Sequence, residues 1–500
     1  MAISNPACRQ STVGVIRVAQ AQYPKEAPYH PAVIYPEYPF PGYHSSEPNL
    51  VYDGVRELLH TLELDAEHWN KPDWNPLGEL IKPGMTIVIK PNFVLSRHFD
   101  GKDVYAIITH PAVLRAISDY CWIALKGSGK IIIADAPQYN CNFGELIDIT
   151  RLDVVCDFYR RFAGAVVDLL DLRNYWSKTR HFPSCILSLP GDPKGSLIIN
   201  LGKESALYNF PNVSKLYGAV FHRQETIKHH SGEKQEYEIS NTILNADVLI
   251  SVPKLKVHKK VGVTLNQKGL VGISTNKNLL VHYTLGSPSE GGDQYPDDLL
   301  TTREHMAIKF ERWMYDHFLA KRTHIHELIH RFIYGFLYLR IFSHFGFGIS
   351  PEKRLKDTGN WYGNDSAWRM VVDLAKVINF ADKEGNLQKN PPRRIFSVID
   401  GIVSGENNGP LNPDPKYSGV LIGGDNLLAV DIVATRLMGF DPNKLKQFTM
   451  LDSNYDFGPR KLEDIEIKSN WPEVINDINN PQNRFLSIMP HPGWIGHIEI

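Results

Sequence analysis

Short runs of β-branched residues alternate along this chain with segments of helical periodicity, and this alternation narrows the fold more than any other feature. Residues 86–90 (TIVIK), 130–136 (KIIIADA), 247–252 (DVLISV), 394–400 (RIFSVID) and 419–423 (GVLIG) are short and almost uniformly apolar. They read as strands buried on both faces. Residues 165–169 and 196–201 (SLIINL) are further strand candidates. Between them lie helical patterns at 50–63, 110–126, 145–164 and 426–438. In the second of these, Val113, Ile117, Tyr120 and Ala124 share one face. Buried strands interleaved with helices predict an α/β fold, a largely parallel sheet flanked by helices.

The alternation is interrupted twice. Residues 1–47 are rich in proline and tyrosine, which forbids regular helix and predicts an irregular arm. Residues 285–365 open with a Gly/Ser/Pro/Asp loop and continue with two helical patterns, 299–321 and 322–344. The expected organisation is an arm (1–47), a first part of the core (48–284), a long helical insertion (285–365) and a second part of the core with a tail (366–500). The insertion reads as a cap or an oligomerisation element. Residues 328–349 are apolar but broken by His330, Arg331, Arg340 and His344, so they do not read as a membrane span. Two readings stand: a buried or subunit-interface helix, or a helix lying on a membrane surface, where aromatic and basic residues interleave.

Composition removes several classes. The 54 Lys and Arg balance 55 Asp and Glu, which excludes a globally basic nucleic-acid coat. The five cysteines, Cys8, Cys121, Cys141, Cys156 and Cys185, show no CxxC spacing. Neither a disulfide framework nor an iron–sulfur cluster is expected. The first twenty residues lack the apolar stretch of a signal peptide, so a cytoplasmic protein is expected, with peripheral membrane contact as an option. His326-Glu327-Leu328-Ile329-His330 matches HExxH but sits in the insertion without an evident third ligand.

Ligands of open parallel sheets bind beyond the carboxyl ends of the strands. The residues following the predicted strands are Lys90-Pro91-Asn92, Asp135, Pro253-Lys254-Leu255-Lys256-Val257-His258 and Asp400-Gly401. If residues 254–258 are extended, Lys254, Lys256 and His258 face one side and suit an anionic group. Thr264 and Lys268 follow in a glycine-bearing segment that alternates polar and apolar residues. Lys254 or His258 is expected as general acid or base. Residues 401–418 read as a long functional loop, whose Glu406 is expected to join Asp400 in holding Mg²⁺ or Mn²⁺ or in acid–base work. Asp431, amid apolar neighbours, is expected to be exposed or paired with Arg436 or a site lysine. Asn364, Asp365 and Arg369, among Trp and Tyr residues, suit carbohydrate or nucleotide contact, and residues 364–366 also suit a helix cap.

Several segments together resemble the domain-of-unknown-function family 362. They are Lys90-Pro91-Asn92, Thr109-His110-Pro111, residues 253–258, Val263-Thr264-Leu265 with Lys268 and Gly272, Asp400-Gly401 with Gly409-Pro410, and Ala429-Val430-Asp431 with residues 439–442. The chain departs from that pattern at Gly269, where the family typically has Asn, and lacks the ferredoxin-like cysteines of some members. The segment around Asn364 to Arg369 resembles a subgroup associated with surface-polysaccharide genes, which implies a sugar-type substrate. The expected function is an enzyme acting on an anionic small molecule, a phosphorylated or nucleotide-linked sugar or a sugar acid, by isomerisation or group transfer. Lys90, Asn92, Asp135, Lys256, Thr264, Lys268, Asn364, Asp365 and Arg369 are expected to bind it. No nucleic-acid partner is expected, and a homo-oligomer is compatible with the sequence. The alternative is a non-catalytic scaffold that docks to a membrane or partner through residues 322–344.

Overall fold

A computed structural model describes residues 11–163, 167–178, 186–219, 222–319, 324–333, 336 and 348–500. Its central sheet is built from β1 (Thr12–Arg17), β2 (Thr86–Pro91), β3 (Lys130–Asp135), β4 (Val167–Asp171), β5 (Val248–Val252), β6 (Lys254–His258), β7 (Arg394–Glu406), β8 (Asp414–Gly424) and β9 (Glu466–Ser469). The order across the sheet is β9-β1-β8-β7-β5-β2-β3-β4. The run β7-β5-β2-β3-β4 is parallel throughout, and β8 is antiparallel to both of its neighbours. The α/β reading is thus correct: a mostly parallel sheet with helices on its faces. The β4 strand begins at Val167, and the first two residues of the expected 165–169 run lie outside the described residues.

Alternate side chains of each central strand feed two cores. Ile87, Ile89, Ile131, Ile133 and Ile250 pack with helices α1 (Leu50–Thr61) and α2 (Pro111–Leu125) on one face. Val88, Ile132 and Leu249 pack with α3 (Ala367–Phe380) and α4 (Leu427–Met438) on the other. Burial on both faces is why these strands read as unbroken apolar runs. The local chemistry sets the helix ends. His110 Nδ1 accepts from Ala112 N at 3.0 Å ahead of Pro111, and Asn426 accepts from Ala429 N at 2.9 Å while Gly439 ends α4 at φ 95°.

Four expectations change. Residues 196–201 are not part of the central sheet: Ser196–Asn200 pairs with Glu236–Ser240 in a separate hairpin. The helix expected over 145–164 is broken at Arg151, which takes φ 55° between Phe143–Thr150 and Leu152–Phe158. The expected loop 401–418 is mostly a hairpin of β7 and β8, in which Asp400 faces Leu421 and Glu406 faces Asp414. Its glycines serve close backbone approach rather than a ligand loop, since a Cβ on Gly405 would lie 2.6 Å from Ala106 O. Residues 265–273, read from the sequence only as a glycine-bearing alternating segment, are helical, Leu265–Gly269 and Leu270–Ile273.

Candidate active site

A cavity of about 600 Å³ opens at the carboxyl ends of β2, β3 and β6. Asn92 and Asp135 line it from the first two strands, and Lys256 and His258 from the third. Thr264, Lys268 and Gly272 enter from the helical turns after β6, and Lys277 and His282 follow. From the insertion, Glu311 and Arg312 of the helix Thr302–Met314, together with Tyr315, Arg354 and Asp357, complete the wall.

Four of the expected site residues therefore converge with their own strand ends, but each is held differently. Lys90 Nζ donates to Asp135 Oδ1 at 2.9 Å, and Phe93 N donates to Asp135 Oδ2 at 2.7 Å. Burial raises Asp135, and Lys90 works against that rise. Gly272 lies against this pair: a Cβ there would fall 1.8 Å from Asp135 Oδ1. Asn92 donates its backbone N–H to Thr109 Oγ1 at 2.9 Å, while its own Oδ1 is buried without a hydrogen-bond partner, as is Thr264 Oγ1. Lys256 Nζ donates to Ile107 O at 2.5 Å, and Lys277 Nζ donates to Val271 O and Ser274 O at 2.8 and 3.0 Å. Lys260 Nζ donates to Thr358 O.

The two imidazoles present opposite faces. Lys260 N–H donates to His258 Nδ1 at 3.1 Å, so the proton of neutral His258 sits on Nε2. His282 Nδ1 lies 2.8 Å from Leu280 O, which can only accept, so His282 Nε2 carries the lone pair. Burial, reinforced by nearby Lys268, holds both rings well below the ordinary imidazole range. Among the described residues Lys268 has no side-chain hydrogen-bond or ion-pair partner, and burial followed by the charge of Lys90 brings its amine down to about 7. Lys277 falls to about 7 through burial as well.

One carboxylate positions Lys268 without touching the cavity. Asp431, buried in α4, accepts from Asn266 N and Gln267 N at 2.8 and 2.9 Å, and from Asn266 Nδ2 at 2.8 Å. It thus holds the first turn of the Leu265–Gly269 helix, where free N–H groups and the helix dipole favour an anion. It pairs with neither Arg436 nor a lysine, and Arg436 instead donates to Asn480 O and Asn483 O.

Other expected residues stand apart from the cavity. Lys254 Nζ lies 3.0 Å from Asp400 Oδ2, and Tyr23 OH donates to Asp400 Oδ1 at 2.7 Å while His110 N donates to Oδ2 at 2.9 Å. The β6–β7 pairing shifts register between Lys254 and Lys256, and Lys254, held by Asp400 and Tyr23, does not line the cavity. Glu406 accepts from Met489 N at 2.9 Å. It lies six positions along β7 from Asp400, about 20 Å at the rise of an extended strand, so the two are too far apart to share a cation. The cavity walls offer mainly amines and imidazoles, and Asp135 is engaged by Lys90. That donor set does not fit Mg²⁺ or Mn²⁺, which take oxygen ligands. No cluster of three or more His, Cys, Asp and Glu side chains suited to a metal occurs among the described residues. Within HExxH, Glu327 pairs with Arg331.

Asn364 Oδ1 accepts from Ser366 N and Ala367 N at the start of α3, and its Nδ2 donates to His282 O at 3.0 Å. Asp365 takes ion pairs from Arg369 and Lys446 at 2.8 and 2.7 Å. These three residues brace the wall behind His282 and do not line the main cavity. Sequence reasoning missed Lys277, His282, Arg312 and Arg354. Only His282 carried a local signal, lying on the short alternating run Val281–Thr284.

Fold and site together define an α/β protein with a cavity rich in basic side chains at the carboxyl edge of a mostly parallel sheet. A family model described as "Domain of unknown function (DUF362)" matches residues 192–436, and over that span the chain is a member of the DUF362 family. The match includes Lys256, His258, Lys268 and His282, whereas Lys90, Asn92 and Asp135 precede it. Among curated proteins, a thylakoid-associated protein of Synechocystis is 38% identical over 47 residues, 9% of this chain and 15% of that protein. No helix among the described residues is long and apolar enough to cross a membrane.

Proposed function

We propose that this protein is an enzyme that binds a polyanionic small molecule in the cavity and transfers a proton on it. The ligand class is a phosphorylated or nucleotide-linked sugar or a sugar acid, and the reaction an isomerisation or group transfer. The carrying observation is the surplus of basic side chains, which an anion would bring to their charged form. Lys256, Lys259, Lys260, Lys268, Lys277, Arg312 and Arg354 line the cavity against Asp135, Glu311 and Asp357. These acids are committed to Lys90, Arg354 and Arg312 respectively. Buried like charges are costly until an anion compensates them. Lys256 Nζ also donates to Pro410 O at 3.4 Å, so Lys256 and Lys277, each fixed by two carbonyls, retain one of an ammonium's three donors for a ligand. In this reading His258 Nε2–H is the hydrogen-bond donor to ligand oxygen and His282 Nε2 the base.

Titration calorimetry with pyrophosphate and with UDP-glucose tests the reading. Wild type is expected to bind at least one of them in the micromolar range. Lys256→Met and Lys277→Met are each expected to weaken that binding about 10- to 100-fold, the worth of a hydrogen bond to a charged group. Absence of binding at millimolar ligand to a folded protein overturns it.

A second reading, docking of the insertion at the cytoplasmic surface of a membrane, is favoured by a different observation. Trp313, Ile325, Leu328, Phe332 and Phe336 are exposed, Ile325 by 69% and Phe332 by 60%, with Arg331 and Lys309 nearby in the sequence. Apolar and basic side chains together suit an anionic lipid surface. The part of residues 322–344 outside 324–333 and 336 lies outside the described residues. Wild type should co-sediment with phosphatidylglycerol vesicles, and Trp313→Glu with Phe332→Glu should cut the bound fraction several-fold. A wild type that stays in the supernatant removes this reading.

A further inference from the structure

The lysines of the cavity are not equivalent. Lys90 is tied to Asp135, and Lys256, Lys260 and Lys277 donate to backbone carbonyls. Carbonyl and carboxylate partners fix an ammonium in place and keep it a donor. Lys268 has neither, although it is buried. It sits four residues after Thr264 on a helix that Asp431 anchors from outside the cavity, so its backbone is fixed while its amine is free. An anion holder would gain from the carbonyl contacts its neighbours have. A nucleophile needs the reverse: an uncommitted lone pair, surrounding positive charge, and acid–base groups at hand.

We propose that Lys268 is a covalent residue, whose amine condenses with the carbonyl carbon of an anionic aldehyde or ketone seated in the cavity. The inference rests on the polyanion reading above and narrows its substrate class to carbonyl compounds, including the open-chain forms of sugar phosphates. The nitrogen lone pair of neutral Lys268 forms the new C–N bond, and the C=O π electrons move to oxygen. His282 Nε2 takes a proton from the nitrogen and passes it to the alkoxide, which His258 Nε2–H steadies by a hydrogen bond, and a neutral carbinolamine results. The C–O bond of the carbinolamine then breaks as the nitrogen lone pair closes the C=N bond, and the hydroxide leaves as water with the remaining N–H proton, relayed through His282 Nε2. The balance is one amine plus one carbonyl giving one imine plus one water. The depressed basicity of Lys268, near 7, leaves about half of it neutral at physiological pH. Lys256 and Lys277, each keeping an N–H beyond its carbonyl contacts, would hold the substrate's anionic group beside it.

The test uses the full chain, pyridoxal 5′-phosphate as an anionic aldehyde, pyridoxal as its analogue without phosphate, and cyanoborohydride to fix any imine as a secondary amine. Peptide mass mapping of wild type reads the site directly, so the result does not depend on a variant folding. One reduced adduct per chain at Lys268 is expected. It should form at least tenfold faster than at any other lysine and tenfold faster with the phosphate form, and pyrophosphate should suppress it. Lys268→Met should lose that adduct and still bind pyrophosphate within about tenfold of wild type. Labelling spread over surface lysines, or an equal rate in Lys268→Met, overturns the covalent role. Pyrophosphate binding without a Lys268 adduct overturns this inference alone, whereas failure to bind any anion overturns the polyanion reading beneath it.

Discussion

Lys254 and Lys256 stand two residues apart on one strand and serve different ends. Lys256 faces the cavity, whereas Lys254 joins Asp400, Tyr23 and the backbone of His110 in a closed set of hydrogen bonds. Tyr23 comes from the irregular N-terminal segment, so this set fastens that segment to the sheet. Every oxygen of Asp400 is occupied, which leaves it no capacity to meet a substrate or a metal. Asp400→Asn removes the charge that Lys254 faces in a fully buried place, and breaking such a pair costs about 3–5 kcal/mol. The expected outcome is a large fall in thermal stability with pyrophosphate affinity within about twofold of wild type at a temperature where the variant is folded. A loss of affinity without a loss of stability would return Asp400 to the site.

The central elements were legible because their chemistry is local. An unbroken β-branched run is what a strand covered on both faces requires, and the runs at 86–90, 130–136 and 247–252 became adjacent parallel strands. Their carboxyl ends delivered Asn92, Asp135, Lys256 and His258 to one cavity, as the geometry of parallel sheets dictates. The segment 264–268 misled because Thr264, Asn266 and Lys268 alternate as in a strand. Its helix is imposed from a distance by Asp431, 165 residues away in sequence from Asn266. The helical form changes which residues meet: Thr264 and Lys268 share a face, while Asn266 turns to Ser397. The 401–418 segment misled in the opposite sense. Glycines that suggest a loop are there because Ala106 and Val420 pack against the strand. Arg312 and Arg354 were invisible for a third reason: only the folding of segment 285–365 against the sheet brings them to the cavity.

A cavity that gathers buried lysines leaves a signature in the stability of the entire chain. Lys268 and Lys277 sit near 7 when folded, against 10.5 ordinarily, so between those values the unfolded chain binds more protons than the folded one. Stability must therefore rise with pH from about 7 to about 9.5 in the unliganded protein. Below 7 both states carry these charges and the contribution is gone. Asp431, raised to about 7 by burial, acts with the opposite sign but only below that pH, so the two effects separate. A polyanion in the cavity favours the charged lysines and raises their pKa. Binding should then take up protons at pH 8, visible as a dependence of the calorimetric enthalpy on the buffer's ionisation enthalpy. It should also flatten the melting profile between pH 7 and 9.5, because the ligated lysines no longer lose their protons in that window. A melting temperature that falls from pH 7 to 9.5 in the unliganded chain, or binding with no proton uptake, would mean that these lysines are charged before any ligand arrives. The cavity would then hold its positive charge permanently, and Lys268 would have no lone pair to offer at neutral pH.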